Sequence, residues 1–246
     1  MKKLLLSSVA VAAISIVADA PARAVDMPVK APAFKAAAAP YDPWTGCYIG
    51  GNVGGGWAHK EFGPTPGFTP ESLTANPSNV VGGVQIGCDV QRGAWVFGAR
   101  GMFDWSDMHG NTPFASGGKG YMTRMPWFAT ATARAGYLVQ PTLLVFVDGG
   151  AAFVRDEFQF VEGSGAFVDA TGHVTRTGWT AGFGVDWMVA PNWTVTLEYG
   201  YMGFGTKTVD LQGTFAFFPT LHESINQHVQ VGLISLNYRF ASGGGR

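Results

Sequence analysis

Five histidines (His59, His109, His173, His222 and His228) and Ser224 are the side chains best suited to nucleophilic or metal chemistry in this chain. A serine becomes a nucleophile when an imidazole within hydrogen-bond reach takes its proton, and Ser224 with His222 or His228 is the one local pairing of that kind. His222-Glu223 lacks the second histidine of a zinc-binding H-E-x-x-H motif, and no two histidines stand at a ligand spacing. The glycines from Gly50 to Gly56 form no G-x-G-x-x-G or Walker pattern. They read as a strand whose close packing needs small residues, not as a phosphate cradle. No catalytic residue, metal site or cofactor is expected.

A second set of polar residues is more informative because of where it sits. Arg100, Arg134, Asp148 and Glu198 lie near the middle of apolar alternating segments, with Asp89, Asp104 and Asp186 nearer the segment ends. Charges at such positions need partners, because an unpaired buried charge is strongly destabilising. The composition is consistent with a sheet protein. Of 246 residues 35 are glycine, against 16 Lys+Arg and 17 Asp+Glu, about twice the usual glycine share and half the usual charge. Glycine disfavours a helix-rich enzyme. Without a basic cluster to neutralise phosphates, nucleic acid is not expected as a partner.

The elements that would hold these charges begin after an export segment. Lys2 and Lys3 precede an uncharged stretch to Ala18, and Ala22-Arg23-Ala24 supplies a cleavage signal, so residues 1–24 read as a signal peptide. Residues 25–43, with Pro28, Pro32, Pro40 and Pro43, read as an extended periplasmic tether. From residue 44 to 240 period-2 alternation recurs. Val80, Val84, Ile86, Cys88 and Val90 oppose Gln85, Asp89 and Gln91, and Val195, Leu197 and Tyr199 oppose Thr194, Thr196 and Glu198. About eight such segments occur, and none of the chain past the signal peptide is a helix-length apolar run.

Aromatic residues mark both ends of the apolar face, roughly ten residues apart, which is the length of a tilted strand crossing a bilayer. Trp57, Trp95, Trp105, Trp127, Tyr137, Trp179, Trp187, Tyr201, Tyr238 and Phe240 are the candidate interface residues. The connections alternate in length. Three short ones lie near 91–94, 139–142 and 190–192, and four long ones span about 58–78, 106–123, 155–176 and 205–227. That order suits a membrane barrel with short periplasmic turns and long external loops. The fold class expected is therefore all-β, an antiparallel up-and-down transmembrane β-barrel of about eight strands. Arg100, Asp104, Arg134, Asp148, Asp186 and Glu198 would form its interior polar network. All five histidines would fall in or beside external loops made aromatic by Phe62, Phe68, Phe114, Phe215, Phe217 and Phe218.

The stretch Trp44-Thr45-Gly46-Cys47-Tyr48-Ile49-Gly50-Gly51-Asn52-Val53-Gly54, with Asn192-Trp193-Thr194, Glu198-Tyr199 and Asn237-Tyr238-Arg239-Phe240, resembles the small outer-membrane β-barrels of alphaproteobacteria, porin-like surface antigens. The resemblance implies residence in the cell outer membrane of a Gram-negative bacterium, contact with its lipid and lipopolysaccharide, and insertion by the barrel-assembly machinery through the C-terminal aromatic signal. It implies an envelope role without catalysis. Residues 241–246 form a short extension beyond that signal. Two cysteines in an exported chain suggest a disulfide: Cys47 begins the first strand and Cys88 ends the second. The alternative is two small apolar side chains facing lipid. In the last strand the apolar parity switches from Val229, Val231 and Leu233 to Ile234, Leu236, Tyr238 and Phe240, which predicts a bulge near residues 232–234.

The function expected is a structural, surface-exposed barrel that supports envelope integrity and offers its loops to host or envelope proteins. The alternative is a narrow porin-like passage for small solutes. A lipid-modifying activity at Ser224 is the more distant third.

Overall fold

In the computed structural model, residues 42–63, 73–113, 119–162, 167–213 and 221–240 are described. The signal peptide, nearly all of the tether and the C-terminal extension lie outside them. Nine strands follow in order: β1 (Gly46–Phe62), β2 (Leu73–Ala75), β3 (Ser78–Arg92), β4 (Trp95–Pro113), β5 (Lys119–Gln140), β6 (Leu143–Glu162), β7 (Phe167–Ala190), β8 (Trp193–Gly213) and β9 (Leu221–Arg239). Each long strand pairs antiparallel with the next, and β9 closes back on β1, so β1 and β3–β9 form an eight-stranded barrel. Closure leaves none of the eight with an unpaired edge. The three-residue β2 adds only to the end of β1, opposite Lys60–Phe62.

The β3–β4, β5–β6 and β7–β8 connections are two residues each, Gly93-Ala94, Pro141-Thr142 and Pro191-Asn192. Gly93 and Asn192 take the left-handed conformation there, with φ of 62° and 69°, which glycine and asparagine accept at least cost. At the other end the strands run further than the sequence suggests. β7 has 24 residues, where about 9–11 suffice to cross a bilayer. Segments expected as loops therefore carry strand. His59, His109, His173, His222 and His228 all lie on strands, and Phe62 is not a loop aromatic but an inward side chain packed edge-on against Phe158 at 6.3 Å. Phe68, Phe114, Phe215, Phe217 and Phe218 fall where side chains are not described.

The outer face between the two strand ends is apolar. Ile49, Val84, Ile86, Phe97, Val147, Phe183, Leu197 and Ile234 point outward, Leu197 with 65% of its surface exposed. Aromatic residues border this belt. Trp95, Tyr137, Trp187, Tyr238 and Phe240 stand at the turn end, and Trp57, Trp105, Trp127, Trp179 and Tyr201 at the far end. Trp193 belongs to the first row as well, meeting Tyr238 edge-on at 5.2 Å. Beyond the far row the outer residues turn polar, His59 and Glu61 on β1, Asp107 and His109 on β4, Ser224 and Asn226 on β9, while the inner ones mix apolar side chains such as Phe62, Met108 and Ile225 with the buried Lys60. The polarity inverts at the aromatic row without any change of backbone.

That inversion accounts for the parity switch in β9. No register shift occurs at residues 232–234, and β9 pairs continuously with β1 from Ile225 to Arg239. Val229, Val231 and Leu233 are buried in the lumen, and Ile234, Leu236, Tyr238 and Phe240 face outward. The expected bulge is therefore absent. The switch reflects an apolar lumen layer meeting an apolar outer belt. The pairing of β9 with β8 is irregular elsewhere, between Gly203 and Gly205, where Gly205 has φ 61°.

Candidate functional site

The lumen is built in three layers. In the layer nearest the turns, Arg239 on β9 donates to Asp89 at 2.8 Å, and its other nitrogen donates to the Trp44 carbonyl at 2.7 Å. Arg134 on β5 donates to Asp186, with Asp89 at 3.7 Å and the Tyr48 hydroxyl at 3.2 Å. Thr196 donates to Asp186 at 2.6 Å, and Asn237 donates to Thr196 at 3.0 Å. Arg100 on β4 is shared by Glu198, which it meets with both guanidinium nitrogens, and Asp148. The fork of a guanidinium suits such two-oxygen contacts. Phe146 stands under both cations, its ring 4.2 Å from Arg134 and 5.9 Å from Arg100.

The expected network thus forms around Arg100, Arg134, Asp148, Asp186 and Glu198, but Asp104 does not join it. Asp104 is fully buried and forms no ion pair among the described residues. Asn52 is its neighbour across Gly83. Asp104 sits nearer the far end, against the apolar layer, and the three arginines are engaged below it. Sequence reasoning did not place Arg239 and Tyr48 in the network, although both lie in motifs it singled out.

Glycines explain how so many polar groups fit inside eight strands. A Cβ at Gly87 would strike the Tyr48 ring, and one at Gly98 would strike the Asp89 carboxylate. Phe146, Asp148 and Asn237 likewise lie against Gly184, Gly182 and Gly50 of a neighbouring strand, so at these places the lumen holds one side chain where two would collide.

The middle layer is apolar: Met102, Met108, Met125, Phe128, Val154, Met202, Phe204, Val229, Val231 and Leu233 pack as one buried cluster. Above it a second polar group closes the far end. Lys60 donates to Thr123 and to Asp156, each at 2.7 Å, Gln227 donates to Asp156 at 3.2 Å, and Arg176 lies 3.3 Å from Asp156. Lys60, Asp156 and Arg176 are fully buried. All three fell at or within segments expected as loops, so no alternation flagged them. At the opposite mouth Trp44 is fully buried and donates its indole N–H to the Pro141 carbonyl at 3.0 Å, a cap beneath the ring of strands.

Cys47 and Cys88 are cross-strand partners of β1 and β3, and a disulfide joins them on the outer face. Ser224 and His228 are four residues apart on one strand, about 13 Å at strand rise, so the structure does not bring that pair together.

At the far aromatic row β1 and β9 place His59 directly opposite His228, both outward. Their rings are 5.0 Å apart, and the Tyr201 ring stacks on His228 at 5.7 Å. His59 Nδ1 donates to Asn76 Oδ1 at 2.6 Å, and its Nε2 lies 3.4 Å from Glu61 Oε1. These residues lie beyond the apolar belt. Partial burial and the neighbouring His59 push the His228 imidazole below its ordinary range, with Glu61 acting the other way.

Comparison with known proteins agrees with this geometry. The family described as outer membrane protein beta-barrel domain matches residues 30–240. The chain is similar to a 31 kDa outer-membrane immunogenic protein of Brucella melitensis, 35% identical over 253 residues that cover 96% of this chain and 100% of that protein. It is also similar to a 25 kDa outer-membrane immunogenic protein of Brucella canis, 26% identical over 204 residues, 82% of each chain. The crystal structure of the outer membrane protein OprG from Pseudomonas aeruginosa superposes with a TM-score of 0.51, covering 80% of this chain and 97% of that one. At 9% identity that likeness is one of fold.

Proposed function

The chain belongs to the outer membrane protein beta-barrel domain family and resides in the outer membrane, and from that premise we propose that it is a closed structural barrel. In this reading it strengthens the envelope and presents its far end at the cell surface as an antigen. The turns face the periplasm, lipid and lipopolysaccharide surround the belt, and the barrel-assembly machinery inserts it. The extended strand ends are its surface for envelope or host proteins, and it has no enzymatic activity.

The observation that carries this reading is the apolar layer across the lumen. An ion passing along the axis leaves the paired charges around Arg100 and Arg134 and meets Phe128, Met202 and Leu233, which offer no hydrogen bond. Apart from Asp104, the charges on either side are themselves engaged by partners, and Trp44 caps the lower mouth. Eight strands enclose little more than the volume their own side chains fill.

Planar-bilayer recording tests it. The wild-type barrel is expected to give no steady conductance, and a Phe128→Ala/Met202→Ala variant is expected to open a measurable current. A steady ohmic current through the wild type, unchanged by that double substitution, would replace this reading with the narrow-channel one.

A further inference from the structure

The geometry points to a divalent transition-metal site of the zinc type on the outer face of the β1–β9 seam, with His59, Glu61 and His228 as its protein ligands. His59 and His228 are direct cross-strand partners with rings 5.0 Å apart, and Glu61 follows on the same face of β1 as His59. Asn76 Oδ1 can only accept, so the proton of the 2.6 Å contact belongs to His59 Nδ1. The Nε2 atom of the same ring faces the Glu61 carboxylate. The 3.4 Å from Nε2 to Oε1 is long for a charge-assisted hydrogen bond, about 2.7–2.9 Å. It matches the edge of a tetrahedron with metal–ligand bonds near 2.0–2.2 Å, about 3.3 Å.

The surroundings are those of a ligand set. Asn76 orients His59 from behind, as carbonyl oxygens orient metal-bound imidazoles. Asn226 lies 3.5 Å from the other Glu61 oxygen, and Tyr201 stacks on His228. A cleft of about 460 Å³ lined by Trp57, His59, Asn76, Ser78, His228 and Gln230 opens beside the two imidazoles, with Glu61 just outside it. Among the described residues no three such side chains already converge on one point. Binding therefore turns the His228 ring toward Nε2 and Oε1, and the fourth position stays open to water. The site lies on the outer seam and owes nothing to whether the lumen conducts.

Zinc chloride titrated calorimetrically into the EDTA-stripped full chain, folded in detergent, tests the proposal. A heat-modifiable gel shift serves as the folding check. One saturable site is expected. His59→Gln, His228→Ala and Glu61→Gln each lower the affinity at least tenfold, and Asn76→Ala lowers it about tenfold, the range for a ligand-orienting residue. His173→Ala, on a distant strand, leaves it unchanged, and cobalt(II) gives the visible absorption of a tetrahedral site. Folded wild type that takes up no zinc overturns the proposal, as does equal affinity in the His59→Gln and His228→Ala variants. The first of those results leaves the His59–Glu61 contact as a side-chain hydrogen bond alone. A conducting wild-type barrel would overturn the closed-barrel reading and leave this one standing.

Discussion

Asp104 and Glu198 are both buried lumen carboxylates, and their surroundings differ in a way that reverses the effect of mutating them. Glu198 is held by two guanidinium nitrogens of Arg100, whereas Asp104 forms no ion pair among the described residues. Removing one partner of a buried ion pair costs about 3–5 kcal/mol, because the other charge is left unpaired. Glu198→Gln is therefore expected to lower the urea midpoint for loss of the heat-modifiable form. Asp104→Asn keeps the shape and replaces a buried carboxyl group that forms no ion pair, so that midpoint is expected to rise, by about 1 kcal/mol in stability. A fall in both would mean that Asp104 has a cation partner in the membrane. The Gly98 position gives a steric counterpart. Gly98→Val drives a side chain into Asp89 and takes its contact with Arg239 with it, and the loss is expected in the same unfolding assay.

The disulfide and the strand extensions belong to the elements. Cys47 and Cys88 are 41 residues apart in sequence, and their bond joins β1 to β3 near the turn end. Chain-entropy reasoning gives a cross-link of that span about 4 kcal/mol at most. The ladder between β1 and β3 also pairs Gly46–Trp57 with Ser78–Asp89 without it. Cys47→Ser/Cys88→Ser is therefore expected to fold and insert, and to lose its heat-modifiable form at a lower urea concentration than the oxidised wild type. Identical midpoints would show that the bond adds nothing the ladder does not already supply. The extended strand ends obey a different solvent from the belt. Above the far aromatic row His59, Glu61 and Asn226 face outward and Lys60, Phe62 and Ile225 face inward, the arrangement of a barrel in water.

Across the whole molecule, hydrocarbon around the belt sets the sign of surface mutations. Leu197 is 65% exposed, and on a protein in water its replacement by a polar residue would change stability by about 0.5 kcal/mol or less. Facing lipid near the middle of the belt, Leu197→Arg is expected to cost about 2–4 kcal/mol. Equilibrium unfolding from lipid vesicles measures it, and a change within 0.5 kcal/mol would contradict a lipid-facing belt. Lumen substitutions act through charge pairing and packing instead, so the two faces of a single strand respond to opposite rules.

How much of this was legible in the residues follows from the range of each interaction. Alternation is local: Val195, Leu197 and Tyr199 against Thr194, Thr196 and Glu198 identify a strand with one oily and one polar face before any partner is known. Aromatics ten residues apart set the thickness the strand must cross, and from these the barrel, its strand number and most of its lower charge network could be read. Local patterning failed where the solvent changed. Beyond the far row the outer side turns polar and the inner side mixes oily and paired charged residues, so β1, β6 and β7 continue through Lys60, Asp156 and Arg176 where alternation of the first kind had stopped. The same inversion looked like a bulge in β9. Pairings across the ring were out of reach for a simpler reason. Register between β1 and β9 brings His59 to His228, and the meeting of Arg239 with Asp89 depends on the curvature of the closed wall. Those contacts join residues from distant parts of the chain, and no spacing along it encodes them until the last strand has closed onto the first.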